Sequence, residues 1–486
     1  MSLKEKAIQG AKWAMIDNIM NVGGSFIINI ILARMLSPDH YGLIGMVYIF
    51  TLIANIFINS GLPHSLIRTK DATQADYSTV FFFNIIVCIT AYFILFFSAP
   101  YISLFFDQPV LVPVIRVLGL SIMINGLSIV QTAIRHKEIN YKIQAKISII
   151  GTIAGGIVAI MMAYKGFGVW SLVAKELIRS FVSSLLYWIT SQWRPAWIFS
   201  KEHFKKHWSY GISLLRNDLT IVVFDNLYTF VIGKFYSIAL LGQYSRAKDF
   251  TDLSSRSIYN VLSNGITFPV LCKVNDNMEE LKRLFRKFMK LIIFLSCTST
   301  AFFVAVSDSF IPFVIGNQWI IAVKFVKILS VSAFLLPVNM YNISIAKVIG
   351  RPDIFANATL FQRLLLIPAV VIGIFTNIEI LLWCTVFTSC FSLFYNSYQV
   401  RQMLRITIGE QFKLTGKVVA IPLLCASIMY AAKLLMLNIE QGYVLLIQLM
   451  VGFSIFFWIC QWKKQEEYME LKSIIIKEWK KMGQLI

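Results

Sequence analysis

From Tyr77 to Phe106 the chain runs for thirty residues without an aspartate, glutamate, lysine or arginine. Tyr41–Ile67, Ile380–Val400 and Tyr443–Trp462 are charge-free in the same way. A helix needs about 20 apolar residues to cross the hydrocarbon core of a bilayer. Backbone N–H and C=O groups find no water there, so a spanning segment must satisfy them internally. Runs this long and continuous fit helices and are far too long for barrel strands. Only 14% of the 486 residues are charged, against about 25% in a soluble domain, so most of the chain has no water-facing surface to offer.

Hydrophobic patterning places spans at 10–33, 42–64, 78–105, 113–134, 145–164, 167–190, 207–232, 240–268, 288–307, 325–346, 354–376, 379–400, 416–436 and 442–462. The expected fold class is therefore all-α: a polytopic integral membrane protein of about 14 transmembrane helices. Basic residues support this. With the N-terminus cytoplasmic, 31 of the 45 Lys and Arg fall in cytoplasmic segments and seven on the opposite side, the rest lying within spans. Positive residues accumulate on the cytoplasmic side of short loops, so both termini are expected there. The net charge of +20 then reflects insertion and contact with anionic lipid heads, not nucleic acid. Met1–Lys12 has no apolar stretch followed by a small-residue cleavage site, so no signal peptide is expected. The seven cysteines are scattered without a CxxC pair and read as packing residues.

A motif recurs. Arg34-Met35-Leu36-Ser37-Pro38 to Gly42 is repeated as Lys234-Phe235-Tyr236-Ser237 to Gly242, and Arg116–Leu118 through Arg135–Glu138 resembles Lys327–Leu329 through Lys347–Gly350. Spans 1–6 and 7–12 thus read as two parallel copies, an arrangement that places a substrate path between lobes. The expected division is an N-terminal lobe at 1–195, a C-terminal lobe at 196–405, two extra helices at 406–462 and an amphipathic cytoplasmic tail at 463–486. In that tail Tyr468, Leu471, Ile475, Trp479 and Met482 form one stripe, as in an interfacial helix.

Four spans carry polar faces: 1, 2, 7 and 8. Span 8 gathers Arg246, Asp249, Asp252, Arg256, Asn260, Ser263 and Asn264 within about 120° of arc. Span 7 has Ser213, Arg216, Asn217 and Thr220 on one face, with Asp218 and Asp225 beside it. Span 1 aligns Asp17, Asn18, Asn21 and Ser25; span 2 aligns Tyr48, Thr51, Asn55 and Asn59. An ionisable group at mid-membrane costs about 2.5–3.5 kcal/mol on insertion scales and marks a pathway. These faces are expected to line one wet cavity. Arg216, Arg246 and Arg256, with Lys175 and Arg179 of span 6, suit an anionic phosphate or pyrophosphate. Asn18, Asn21, Asn55, Asn59, Asn217, Asn260 and Asn264 suit sugar hydroxyls. Asp17, Asp218, Asp225, Asp249 and Asp252 are candidates for proton or sodium coupling. The bland alternative is internal neutralisation, since Asp252 with Arg256 is spaced i,i+4 and Arg246 with Asp249 is also close. Arg363 reads as snorkelling or paired. Gly151 and Gly155 form a GxxxG, the mark of close helix packing. His203 and His207 are spaced i,i+4, but no third ligand is apparent, so no metal is expected. No cofactor motif, P-loop or nucleophile elbow occurs.

Leu32-Ala33-Arg34-Met35-Leu36-Ser37-Pro38-Asp39-His40-Tyr41-Gly42 resembles the "LAR-x-L-x-P-x-x-[FY]-G" segment of bacterial polysaccharide exporters. Gly166–Val173, Trp193-Arg194-Pro195, Leu241–Ala247, Phe268-Pro269, Gly316–Trp319 and Gly350–Asp353 extend the resemblance over roughly residues 1–400. The set is similar to Wzx/WzxC-type oligosaccharide flippases of the multidrug/oligosaccharidyl-lipid/polysaccharide exporter superfamily. The resemblance implies two six-helix lobes facing a central cavity lined by helices 1, 2, 7 and 8. It implies transfer of an undecaprenyl-pyrophosphate-linked oligosaccharide to the outer leaflet of a bacterial inner membrane. A polysaccharide polymerase and glycosyltransferases would be its partners, and a monomer is expected. A drug antiporter of the same superfamily is the alternative. A membrane enzyme is disfavoured, because the longest outward connection, near Asp308–Lys324, offers no acid pair or histidine.

Overall fold

A computed structural model describes residues 3–59, 61–69, 71–138, 141–259, 262, 267–436 and 439–473. The first of two units, Met1–Gly242, runs α1 (Leu3–Met35), α2 (Pro38–Asn59), α3 (Leu62–Arg68), α4 (Gln74–Phe106), α5 (Leu111–Leu127), α6 (Ile129–Lys137), α7 (Tyr141–Tyr164), α8 (Val169–Thr190), α9 (Lys201–Asp225), α10 (Leu227–Phe235) and the start of α11 (Ile238–Ile258). The second, Gln243–Ile486, continues through α12 (Phe268–Lys273), α13 (Met278–Ile315), α14 (Ile320–Val348), α15 (Pro352–Leu364), α16 (Leu366–Ile374), α17 (Ile378–Leu404), α18 (Ile408–Leu434) and α19 (Gln441–Trp462). Among the described residues no strand occurs. The fold is all-α, and the chain is a multi-pass membrane protein.

The described helices are compatible with the fourteen expected spans, of which the one at 240–268 runs partly outside the described residues. Among the described residues nine helices are long and apolar enough to cross a membrane, and ten if α5 and α6, bent by 43° at Ser128, count as one span. The helices that miss this measure include α1, α8, α9 and α11, all of which carry polar or ionisable residues in their expected spans. The repeat also shows in where the helices break. α1 stops at Met35 and α2 starts at Pro38; α10 stops at Phe235 and α11 starts at Ile238. Proline suits the first position of α2, where its missing N–H would have no partner anyway. The start of α4 is fixed by a capping box, with the Thr73 side chain accepting from Asp76 N and Asp76 accepting from Thr73 N.

Several helices outrun their expected spans, α13 most at both ends. The expected span at 288–307 is the middle of a 38-residue helix, α13. Its leading turns are held by Lys282–Glu279 at 2.8 Å and Arg283–Glu280 at 2.6 Å, ion pairs at i,i+3. At the other end α13 continues to Ile315 and leaves only a turn at Gly316–Trp319 before α14. Asp308 lies inside the helix rather than in a connection, and Lys327 donates to it at 2.8 Å.

In the second unit α18 and α19, which stand outside the repeat, pack on α13. Gln448 Nε2, fully buried, donates to Ala305 O at 3.1 Å and Met429 O at 3.0 Å, tying the three helices together. Phe285 stacks on Tyr341 with centroids 4.9 Å apart. The described part of the tail docks on α13. Lys290 pairs with Glu466 at 2.9 Å and Lys287 with Glu470 at 2.6 Å, while Tyr468 and Leu471 pack against the core. Ile475, Trp479 and Met482 lie outside the described residues. Four cysteines (Cys88, Cys297, Cys425 and Cys460) are buried; Cys272 is exposed.

Candidate functional site

The polar face of α1 meets α7 and α8. Asn21 donates through Nδ2 to Asp17, at 2.9 Å to its carbonyl oxygen and more closely to its carboxylate, and accepts from Thr152 Oγ1 of α7 at 3.1 Å. About two turns further on, Lys175 Nζ of α8 donates to Asn29 Oδ1 at 2.5 Å. Three glycines in α7 make this approach possible. A Cβ on Gly151 would lie 2.3 Å from Ser183 Oγ, one on Gly155 2.5 Å from Lys175 O, and one on Gly156 2.4 Å from Ile28 Cδ1. The GxxxG therefore does pack helices closely, with Gly156 extending it toward α1.

The remaining expected site residues sort plainly. Arg179 pairs with Glu176 of its own helix at 2.6 Å, both sides half-exposed. In α2, Asn55 Nδ2 donates to Thr51 O at 2.8 Å. On α9, Arg216 and Asp225 are exposed and Asp218 is half-buried. On α11, Arg246 pairs with Asp249 at 2.6 Å and Arg256 with Asp252 at 3.1 Å. Both pairs are internal to the helix, but neither is dry: Asp249 is 58% and Arg256 47% exposed. The side chains of Asn18, Asn59 and Asn217, and residues Asn260 and Asn264 entirely, lie outside the described residues.

Two contacts at opposite ends of α4 were not anticipated. Near its last turn the two copies of the repeated motif seat on each other. A Cβ on Gly42 would lie 2.1 Å from Ile238 O, and one on Gly242 1.9 Å from Pro38 O. Pro38 and Ile238 are the equivalent residues of the two copies, so the contact is reciprocal. Beneath it Met46 and Phe106 press on Gly233, and Lys234 Nζ donates to Phe105 O and pairs with Asp107 at 3.2 Å.

Near the first turn of α4, the histidines of α9 do find a partner. His203 Nδ1 lies 2.6 Å and His207 Nε2 3.0 Å from the same oxygen, Asp76 Oδ1. The other carboxylate oxygen accepts from Thr73 N and Oγ1 at 2.8 Å each. His207 Nδ1 lies 2.7 Å from Ser65 Oγ of α3. Asp76 and His207 both have 0% exposure. Among the described residues no group of three His, Cys, Asp or Glu is arranged to hold a metal ion; the cluster is a hydrogen-bonded fastening. The i,i+4 spacing of the histidines is visible in sequence, but Asp76, more than 120 residues away, is not.

Residues 31–324 match the model of a family described as polysaccharide biosynthesis protein. The chain belongs to that family. Among the relatives of this family member is the lipopolysaccharide biosynthesis protein WzxC of Escherichia coli (strain K12), 24% identical over 77% of this chain and 76% of the relative. The teichuronic acid biosynthesis protein TuaB of Bacillus subtilis (strain 168) is 24% identical over 73% of each. Among solved structures, the lipid II flippase MurJ in an inward closed conformation shares the fold with a TM-score of 0.73 at 13% identity, covering 92% of this chain and 97% of that one. The family resemblance carried by Leu32–Gly42 and its companions thus agrees with all three.

Proposed function

We propose that this family member is a flippase. It carries an undecaprenyl-pyrophosphate-linked oligosaccharide, a repeat unit of O-antigen, capsule or exopolysaccharide, from the cytoplasmic to the outer leaflet by alternating access. The observation that carries this reading is a conjunction. Its sequence relatives are named for building polysaccharides, and the solved structure whose fold it shares is a lipid flippase. A chain in both sets moves lipid-attached sugar, and it is a transporter rather than an enzyme.

The polar faces supply the physics. An unaided head group would carry its pyrophosphate and hydroxyls into hydrocarbon, where each polar group without a hydrogen-bond partner costs several kcal/mol. Asn21 and Asn55 offer amides to sugar hydroxyls. Arg216, Arg246 and Arg256 offer charge to the pyrophosphate, with Lys175 and Arg179 nearer α1 and α7, while the lipid tail stays in the bilayer. Asp17, Asp218, Asp225, Asp249 and Asp252 are the groups available to an ion-coupled cycle. The seat at Gly42 and Gly242 is a contact that alternating access would break and remake. The positive-inside count favours both termini being cytoplasmic; the protein lies in the inner membrane and acts as a monomer beside a polymerase and glycosyltransferases.

Reconstitution tests the reading. Vesicles carrying the full chain and a labelled undecaprenyl-pyrophosphate oligosaccharide should expose the label to an impermeant reagent faster than protein-free vesicles do. An equal rate in both would defeat the flippase assignment.

A further inference from the structure

We infer that α9, although it opens the second sequence repeat, is fastened to the first repeat throughout the transport cycle, and that the joint about which the repeats part lies beyond it, between Asn226 and Gly242. The inference rests on the transport reading above, and it departs from a simple rocking of spans 1–6 against spans 7–12.

The fastening is the first argument. One carboxylate, Asp76, receives His203 and His207 from α9 and Thr73 from its own helix cap. His207 spans the gap to α3 through Ser65. A neutral His207 is satisfied on both sides: Nε2–H donates to Asp76, and Nδ1 accepts the Ser65 hydroxyl. Pulling α9 away would strip the Asp76 carboxylate of two donors, at about 1.5–3 kcal/mol for each charge-assisted bond.

The surroundings are built as a core rather than a gate. Leu62, Leu66, Val80, Phe81 and Val130 form a buried cluster against which Phe204 of α9 packs. Phe83 lies 4.8 Å from Phe204 and 5.7 Å from Trp208, ring centre to ring centre. These ring contacts add close packing between α9 and the first repeat to the bonds at Asp76.

The segment between α8 and α9, where a hinge would be sought first, is stapled down. Ser200 N donates to Thr79 Oγ1 at 3.1 Å, and Ala196 N to Ser78 Oγ at 3.0 Å. Gln74 bonds both Trp193 Nε1 and Arg194 O at 2.7 Å. A hinge absorbs backbone rotation in a few residues at element ends, and this segment instead spends its amides on α4.

The helix breaks lie further along. The expected seventh span breaks into α9 and α10 at Asn226, which has non-helical φ −107° and ψ 5°. Its side chain donates to Val222 O at 2.9 Å, beside the main-chain bond of 3.2 Å that Asn226 N gives the same carbonyl. A second break, Tyr236–Ser237, precedes α11. Just past the second break, in the first turns of α11, the Gly42–Gly242 seat is a close main-chain contact that can separate without orphaning a buried charge.

Cross-linking tests this in the full chain with its seven cysteines replaced. Phe83→Cys/Phe204→Cys, or Thr79→Cys/Ser200→Cys should the first pair fold poorly, is bridged with a short bifunctional thiosulfonate. Bridging should proceed in one kinetic phase, at a rate unaltered by undecaprenyl-pyrophosphate oligosaccharide, and bridged protein should translocate the lipid within twofold of unbridged protein. Loss of translocation on bridging, restored by reductant, would overturn the inference. So would a substrate-dependent or two-phase bridging rate. Should unbridged protein fail to translocate at all, the flippase reading falls, while the bridging kinetics still decide whether α9 stays fastened.

Discussion

Alanine at Gly42 tests whether the reciprocal seat closes the protein at that end. The added methyl would lie 2.1 Å from Ile238 O, and real Cβ atoms essentially never come within 3.0 Å of another heavy atom, so the first turn of α11 must retreat by about 0.9 Å. At Gly242 the corresponding gap is 1.9 Å and the retreat about 1.1 Å. Both obstacles are main-chain carbonyls, which cannot rotate aside as a side chain would. Forcing a methyl into a packed contact costs about 1–3 kcal/mol. With 1.4 kcal/mol per factor of ten, the seated state should lose roughly five- to hundredfold in population against a parted one. Met46, 2% exposed and lying below the seat, provides the readout. In a chain freed of its own cysteines, Met46→Cys should react with an impermeant maleimide five- to hundredfold faster when Gly42→Ala is added. Gly24→Ala, whose methyl meets nothing within 4 Å, should leave the rate unchanged. Because both methyls relieve against one displacement, Gly42→Ala and Gly242→Ala together should add little beyond either alone. An unaltered Met46→Cys rate in Gly42→Ala, with normal yield, would refute the reasoning.

Arg216→Ala, which removes an exposed cation from α9, should lower translocation of a pyrophosphate-linked oligosaccharide tenfold or more, measured in vesicles; unchanged transport would exclude an anion-binding role. Lys175→Met breaks a charge-assisted bond between α8 and α1 worth about 1.5–3 kcal/mol, and should lower the melting temperature of the purified chain, whereas an unmoved transition would show the bond to be idle. Glu466 lies beyond the spanning helices, and the Lys290 ammonium holds its carboxyl below the usual range. A depressed carboxylate stabilises docking above its ordinary pKa and loses that effect as pH falls. Protection of the tail from proteolysis should therefore hold down to about pH 4 and decline below, and Lys290→Met should abolish that step.

Much of the bundle was legible because lipid imposes so simple a rule on the backbone. Long charge-free runs admit helices alone, and Tyr77–Phe106 lies within α4 accordingly. The repeated Arg34–Gly42 and Lys234–Gly242 motifs announced matching helix breaks, and Gly151–Gly155 announced a close crossing. Length was less legible. α13 runs well past the hydrocarbon core because i,i+3 ion pairs let its solvated turns stay helical, and hydropathy does not register them. The site was readable as faces but not as partnerships. Spacing on α11 permitted both a cavity lining and internal pairing, and only coordinates join Arg246 to Asp249. Asp76 was hidden differently: a lone acid near the start of an apolar run looks like a cap, which it is, and nothing local betrays that its other oxygen is taken by α9.

The proposed function requires the polar faces of α1, α2, α9 and α11 to meet water and the head group. The most direct test is thiol accessibility in reconstituted vesicles. Single cysteines replacing Asn21, Asn55, Arg216 and Asp249 should react with a water-soluble maleimide and be shielded by undecaprenyl-pyrophosphate oligosaccharide, while cysteines replacing Phe97 and Phe387 should stay unreactive. Equal inertness at all six positions, or reactivity that substrate leaves untouched, would contradict it.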